Sequence, residues 1–315
     1  MVERECALEA LVKPRLLVVG GTGFIGHHLL AATKDDWNVT SISLNPPSSQ
    51  RFVDSVRYVQ LDLTNFDAVK ATLIEDYDYV VNLGGYIDHT PFKDGGQILI
   101  DTHFYALKNL IATLSRQSLK RFVQIGSSDE YGNLPAPQYE NMREQPISPY
   151  SLAKVASTYF LQMLHRTEGF PGVVLRLFLT YGPHQDERRF LPLVIKACLA
   201  DDEFAVSEGN QLRDFCYIED VVRAILMTLR TEHIDGHVFN IASGHPISIR
   251  STIENVQKMV CGGRPQYGAI PHRAEENMAL FANTQKAEQY LNWTPEISFE
   301  IGLKKTIDSI DECNA

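Results

Sequence analysis

The chain has 315 residues, 44% hydrophobic and 22% charged, and this composition excludes disordered and fibrous classes of protein. Its net charge of −10 argues against a nucleic-acid partner, because no basic stripe is available to replace counterions on a phosphate backbone. The five cysteines form no CxxC pair, and no apolar run is long enough to span a membrane. We therefore expect a cytoplasmic protein with reduced thiols, no signal peptide, no membrane span and no metal site.

Short apolar runs without alternation recur along the first part of the chain. They lie at 15–20 (RLLVVG), 37–44 (WNVTSISL), 77–84 (YDYVVNLG), 120–127 (KRFVQIGS) and 172–178 (GVVLRLF). Runs of this kind are typical of parallel strands covered on both faces. The segments between them, such as IGHHLLAAT, FDAVKATLIED and HFYALKNLIATLSR, have helical periodicity. The order βαβαβ predicts an α/β protein with a doubly wound parallel sheet, and after about residue 180 the pattern loosens into loops and shorter helices.

The first chemical motif is GGTGFIG at 20–26, which follows a predicted strand and opens a predicted helix. Its GxxGxxG spacing permits a tight turn and lets backbone N–H groups approach a pyrophosphate at the amino end of the helix. A tight turn without a ligand is the alternative, and the strand and helix context favours the dinucleotide. The cofactor contacts predicted around this turn are Gly20, Gly23, Phe24, Ile25, Gly26 and Leu83.

The choice of cofactor depends on the second strand. An NAD-binding unit usually ends this strand with an acidic residue about 20 residues after the glycines, and VTSISLNPPSSQR has none. Ser43, Asn45 and Arg51 suit a ribose 2′-phosphate instead, which favours NADP over NAD, although a solvated loop is an equally good interpretation. Asp62 and Leu63, after the third strand, are candidates for flanking the adenine, with an exposed turn as the alternative.

The second chemical motif is YSLAK, which places Tyr150 and Lys154 four residues apart. On a helix this spacing puts both side chains on one face. A lysine ammonium near a phenol stabilises the phenolate, so we expect a lowered pKa for Tyr150. Such a phenol takes or gives the proton that moves when a carbinol and a ketone interconvert.

With these motifs the sequence resembles, over residues 14–305, the extended short-chain dehydrogenase/reductase superfamily and its NAD(P)-dependent sugar-nucleotide epimerases, dehydratases and 4-ketoreductases. The resemblance rests on GGTGFIG, GSSDEYG, YSLAK, RLFLTYGP, RDFCYIEDVVRAI and FNIASG. It implies a Rossmann domain at 14–180 that binds NAD(P) and carries the catalytic residues. It also implies a smaller α/β domain at 181–310 that mainly binds the substrate, with some chain returning to the sheet, and commonly a homodimer built through four helices.

By this resemblance the catalytic set falls on Ser127, Tyr150 and Lys154, with Ser127 bonded to the reacting oxygen of a sugar. In the family's dehydratases two acidic residues follow that hydroxyl. Here Ser128, a further expected substrate contact, takes the place of the first, and Asp129 takes the place of the second. Asp129 then either acts as an acid or base, or orients the loop or a sugar hydroxyl, and Glu130 stands where the family is usually apolar.

The resemblance places substrate recognition in the second half of the chain. Arg213, in QLRDF, matches the arginine that pairs with the diphosphate of the sugar nucleotide, a task that suits a bidentate guanidinium. Phe190 and Leu191 are placed beside the nucleotide, and Arg273 and Glu276 face its ribose and phosphates. A solvated surface charge is the alternative for each charged residue. His103 replaces an asparagine of the family, and we expect it to pack or to form a hydrogen bond rather than to catalyse.

Three functions follow from the resemblance. The second half looks most like 4-ketoreductases that make 3,6-dideoxyhexose nucleotides, such as abequose synthase, so the first is NADPH-dependent reduction of a 4-keto-6-deoxy sugar nucleotide. The second is a 4-epimerase or 4,6-dehydratase that keeps its NAD(P) bound through the reaction. The third, from another class, is a catalytically silent protein that senses a dinucleotide.

Overall fold

The computed structural model describes residues 13–272 and 276–314, and this part of the chain is built from thirteen strands and ten helices. The strands are β1 (Arg15–Val19), β2 (Asn38–Ser43), β3 (Arg57–Gln60), β4 (Tyr79–Asn82), β5 (Arg121–Ser127), β6 (Gly172–Leu177), β7 (Leu179–Tyr181), β8 (Glu203–Val206), β9 (Leu212–Tyr217), β10 (Val238–Ile241), β11 (Pro246–Ser248), β12 (Arg264–Tyr267) and β13 (Ala279–Leu280). The helices are α1 (Phe24–Thr33), α2 (Phe66–Thr72), α3 (Gln97–Ile100), α4 (Ala106–Thr113), α5 (Pro149–Glu168), α6 (Phe190–Leu199), α7 (Ile218–Arg230), α8 (Ile249–Val260), α9 (Gln285–Leu291) and α10 (Phe299–Asn314).

Seven strands form a parallel sheet in the order β10-β6-β5-β4-β1-β2-β3, which confirms the doubly wound α/β fold. One apolar core packs α1 and α7 against one face of the sheet, and a second packs α2, α4 and α5 against the other. Every residue of β5 is buried. The absence of alternation in the apolar runs is explained by this burial on both faces.

Two smaller sheets stand beside the large one. In one of them β9 is central and pairs with β7, β11 and β13, and in the other β8 pairs with β12. This half is more regular than its sequence pattern indicated, because α7, α8 and α10 have 13, 12 and 16 residues. Among the described residues, no helix has the length and hydropathy needed to cross a lipid bilayer.

The parallel register brings several chain segments to one edge of the large sheet. The glycine turn follows β1, the segment 83–91 follows β4, and the segment Ser128–Tyr131 follows β5. Because the carboxyl ends of parallel strands meet at the same edge, these three segments are neighbours although they are far apart in sequence. The candidate site lies along this edge.

Candidate active site

The glycine turn after β1 has the shape of a phosphate-binding loop. Gly20 has a φ of +78°, and a Cβ added at Gly26 would lie 2.3 Å from the carbonyl oxygen of Gly20. No side chain in the described part of the chain caps the amino end of α1, which begins at Phe24. Phe24 and Ile25 pack partly buried against the core, and Leu83 lies beside Gly20. The turn therefore fits a dinucleotide pyrophosphate at the helix amino end.

The three predicted cofactor residues at the end of β2 and after it differ in their burial and in their contacts. The hydroxyl of Ser43 is buried and accepts a hydrogen bond from the Thr22 backbone N–H at 3.3 Å, so it braces the glycine turn. Asn45 is exposed, and the Arg51 guanidinium donates to the carbonyl oxygen of His184 at 2.6 Å. A preference for the 2′-phosphate of NADP stays a prediction.

Two further predicted cofactor contacts lie after β3. Asp62 is exposed and accepts hydrogen bonds from the N–H and the hydroxyl of Thr64, at 2.9 and 2.7 Å, so its carboxylate shapes a local turn. Leu63 is buried in the core on the α2 side of the sheet. A contact of either residue with the adenine stays a prediction.

Ser127, Tyr150 and Lys154 converge where β5 ends and α5 begins. Tyr150 and Lys154 lie in the first turns of α5, which is capped by Ser148, and they are 3% and 5% exposed. The Ser127 hydroxyl lies near the Tyr150 phenol and acts to lower its pKa. Lys154 Nζ lies 5.8 Å from the centroid of the Tyr150 ring and donates to the carbonyl oxygen of Ile125 at 2.9 Å. The predicted catalytic residues thus form one buried cluster.

The electrostatics of this cluster differ from the prediction. Burial raises the pKa of Tyr150, the Asp129 carboxylate raises it further, and the Ser127 side chain opposes both. Burial lowers the pKa of Lys154 to about 8, against the effect of the nearby carboxylates of Glu130 and Asp129. The lowered pKa predicted for Tyr150 was wrong, because burial and the Asp129 carboxylate both raise the pKa of the phenol. Tyr150 is therefore a protonated phenol at neutral pH.

The neighbouring acidic residues of GSSDEYG point in different directions. The Asp129 side chain is 29% exposed and faces His89, with 3.6 Å between Asp129 Oδ2 and His89 Nε2. Burial raises the pKa of Asp129, and His89 and Arg213 act in the opposite direction. Glu130, by contrast, has no exposed surface. Of these two carboxylates, only that of Asp129 is accessible from solvent.

Glu130 is a structural residue. Its Oε1 accepts from the backbone N–H of Ser127 at 3.0 Å, and its Oε2 accepts from Thr158 Oγ1 at 2.8 Å and from Arg176 Nε at 2.9 Å. Arg176 is fully buried and also pairs with Glu144. The carboxylate thus ties the Ser127 segment to α5 and β6, and it gives a buried guanidinium a counter-charge.

Two histidines flank the Tyr150 ring. His103 is buried, its ring centroid lies 5.0 Å from that of Tyr150, and its Nε2 donates to the carbonyl oxygen of Tyr86 at 2.9 Å. Burial lowers the pKa of His103 to about 3, so this residue is neutral and packed, as expected. His89 lies on the solvent side with its ring centroid 5.9 Å from that of Tyr150. The sequence analysis missed His89, whose only signal was its place soon after β4.

Three of the predicted substrate residues, Arg213, Glu276 and Phe190, lie on or beside β9. Arg213 Nη2 donates to Glu276 Oε1 at 2.7 Å, and Arg213 Nη1 donates to the carbonyl oxygens of Leu212 and Asn277 at 2.8 Å. Phe190 is partly buried with its ring centroid 6.5 Å from that of Phe215. Three further residues were predicted to contact the substrate; of these Ser128 and Leu191 are buried, and Arg273 lies outside the described residues.

The sequence and the fold agree on the family. Residues 16–242 match the profile of the NAD dependent epimerase/dehydratase family. The chain belongs to this family of extended short-chain dehydrogenase/reductase enzymes.

Similar proteins include epimerases and dehydratases. The chain is 28% identical to the low-salt glycan biosynthesis protein Agl12 of Haloferax volcanii, over 93% of this chain and 97% of that protein. It is 28% identical to a dTDP-glucose 4,6-dehydratase of Shigella flexneri, over 93% and 92% of the two chains. Among solved structures, UDP-glucuronic acid 4-epimerase of Bacillus cereus with UDP-glucuronic acid and NAD has a TM-score of 0.84 at 25% identity, covering 95% of this chain and 99% of that one.

Proposed function

We propose that the protein is an NAD(P)H-dependent reductase of a 4-keto-6-deoxy hexose nucleotide or of its 3,6-dideoxy counterpart. The observation that supports this reaction is that, of the two carboxylates in GSSDEYG, only Asp129 is accessible, and it lies close to the protonated phenol of Tyr150. Elimination of water from a sugar needs both a base and an acid. With Ser128 in the place of the first acidic residue and Glu130 buried against Arg176, the segment GSSDEYG offers one accessible carboxylate. Reduction of a ketone needs only one proton donor.

The residues of the cluster divide the reaction between them. Tyr150 gives its proton to the carbinol oxygen that forms at C4, and Ser127 orients the carbonyl by a hydrogen bond. Lys154 uses one N–H to hold the Ile125 carbonyl, and its other two are available to the ribose next to the nicotinamide. A bound reduced dinucleotide supplies the hydride. Arg213 pairs with the diphosphate, which makes residues 181–310 the part that mainly binds the substrate.

Incubation with NADPH and a panel of 4-keto-6-deoxy sugar nucleotides tests this function. We expect a loss of reduced-nicotinamide absorbance that depends on the sugar nucleotide. A Lys154→Met variant is the control and should remove the signal. No loss of absorbance with any ketone would remove the proposal.

A second candidate is a 4-epimerase or dehydratase, which is favoured by the similarity to such enzymes. In this reaction the enzyme oxidises C4 and reduces it again without releasing its dinucleotide. Purification without added cofactor, followed by denaturation and mass spectrometry, separates the two candidates. Stoichiometric oxidised NAD or NADP favours the epimerase or dehydratase, and an empty protein favours the reductase.

The preference for NADP is tested by Arg51→Ala. We expect this change to weaken NADPH binding by about tenfold, which is the contribution of one charge-assisted hydrogen bond to the affinity. NADH binding should stay unchanged. Arg57→Ala is the matched control, because Arg57 is an exposed arginine at the start of β3 whose guanidinium pairs with the exposed carboxylate of Glu75. Dissociation constants from fluorescence titration measure the effect. Equal changes for both dinucleotides would contradict the role of Arg51.

The exposed faces of α3 and α5, and the helical turn that joins α3 to α4, support a homodimer. The exposed apolar residues are Ile98 on α3, Tyr105 on the turn, and Leu152, Tyr159 and Met163 on α5. Apolar surface on adjacent helices is suited to a four-helix interface between two copies of the chain. We expect sedimentation equilibrium to give a dimer mass for the wild type and a monomer mass for Leu152→Glu. A monomeric wild type would overturn the interface.

A further inference from the structure

The buried position of Tyr150 creates a problem of proton supply. After each reduction the phenolate must regain a proton, and Tyr150 is only 3% exposed. Lys154 is 5% exposed, and it holds the Ile125 carbonyl with one of its N–H groups. A half-exposed proton carrier next to the phenol would remove the problem.

His89 has the position that such a carrier needs. Its side chain is 48% exposed, and its Nε2 lies 3.6 Å from Asp129 Oδ2. Its ring meets the Tyr150 ring edge to face, with centroids 5.9 Å apart. The turn that presents His89 is held by Asp88, whose Oδ1 accepts from the N–H and the hydroxyl of Thr90, both at 2.6 Å.

The charges around this pair come from several elements. Asp88 from the same turn and Asp129 from the segment after β5 face His89. Asp129 is also influenced by Arg213 of β9, Lys154 of α5 and Glu130.

We propose that His89, acting through Asp129, carries protons between solvent and Tyr150. The inference rests on the proposed reduction. In that step the Tyr150 O–H bond breaks and an O–H bond forms at C4, while the hydride from the reduced dinucleotide forms the new C–H bond and the dinucleotide is oxidised. The phenolate then takes a proton from the Asp129 carboxyl, Asp129 takes one from the His89 imidazolium, and His89 takes one from water. His89 is thus a positioning and delivery residue rather than a catalytic one.

The activity test compares His89→Gln with His233→Gln, a matched change at a histidine that is 95% exposed. We expect His89→Gln to lower kcat by about 10- to 100-fold, the low end of what a positioned proton-transfer group contributes, with KM unchanged. The decline should be steepest at high pH, where protons are scarce, and added imidazole should restore turnover. An unchanged pH profile without rescue, or a rise in KM alone, would overturn the proposal.

A second measurement needs no substrate. Carbon-13 NMR of labelled aspartate carboxyls, with Asp129 assigned from an Asp129→Asn spectrum, follows its titration in the wild type and in His89→Gln. Because His89 lowers the pKa of Asp129, its removal should raise that pKa. An unchanged Asp129 titration in His89→Gln would overturn the proposed proton path from His89 to Asp129, whether or not the protein reduces a ketone. A shifted titration without reductase activity would overturn only the proposed function.

Discussion

Tyr150→Phe should lower kcat by about 10²- to 10⁴-fold while dinucleotide binding persists. The change removes only the hydroxyl, which lies near Ser127 and is the proton donor of the proposed reaction. The ring remains packed against His103, so the free energy of unfolding should change little. Steady-state kinetics measure kcat with the ketone that the wild type reduces, and a fluorescence titration with NADPH measures dinucleotide binding.

Tyr159→Phe is the matched control for this change. Tyr159 lies on the same helix and is exposed, and its hydroxyl donates to Glu144 at 2.7 Å. This variant should keep full activity. If Tyr150→Phe also kept full activity while binding the dinucleotide, the Tyr150 phenol would not be the proton donor of the reaction.

Glu130→Ala should lower the free energy of unfolding by about 3–5 kcal/mol, because it removes one partner of a buried ion pair. Arg176 would keep only Glu144 as a counter-charge, and the Ser127 N–H and the Thr158 hydroxyl would lose their acceptor. Urea denaturation measures the change through the shift of the midpoint at an unchanged slope.

Asp129→Asn is the matched control at the adjacent acidic residue. Its side chain is partly exposed and makes no buried ion pair with Arg176, so stability should stay within about 1 kcal/mol of the wild type. Similar losses of stability in both variants would mean that the two carboxylates share one structural role. A fall in kcat for Asp129→Asn, without a fall in stability, is expected if Asp129 belongs to the proton path.

Sequence patterns predicted the framework of the site well. The five apolar runs became β1, β2, β4, β5 and β6, because strands buried on both faces admit almost only apolar residues. The glycine turn and the spacing of Tyr150 and Lys154 were also readable, since they depend on backbone geometry within a few residues. The bounds of the second half were less readable, because its helices each bury only one face.

By itself, the sequence determined the order of strands and helices in the first half of the chain and the turn that fits a pyrophosphate, and the family resemblance implied the set Ser127, Tyr150 and Lys154. Only the tertiary structure decided what the two acidic residues of GSSDEYG do. Glu130 is sequestered by Arg176, which lies 46 residues further along the chain, and Asp129 faces His89. The raised pKa of Tyr150 also depends on the tertiary structure, because it comes from burial and from the Asp129 carboxylate. The reason is that burial and charge pairing depend on residues distant in sequence, whereas propensity and spacing are local.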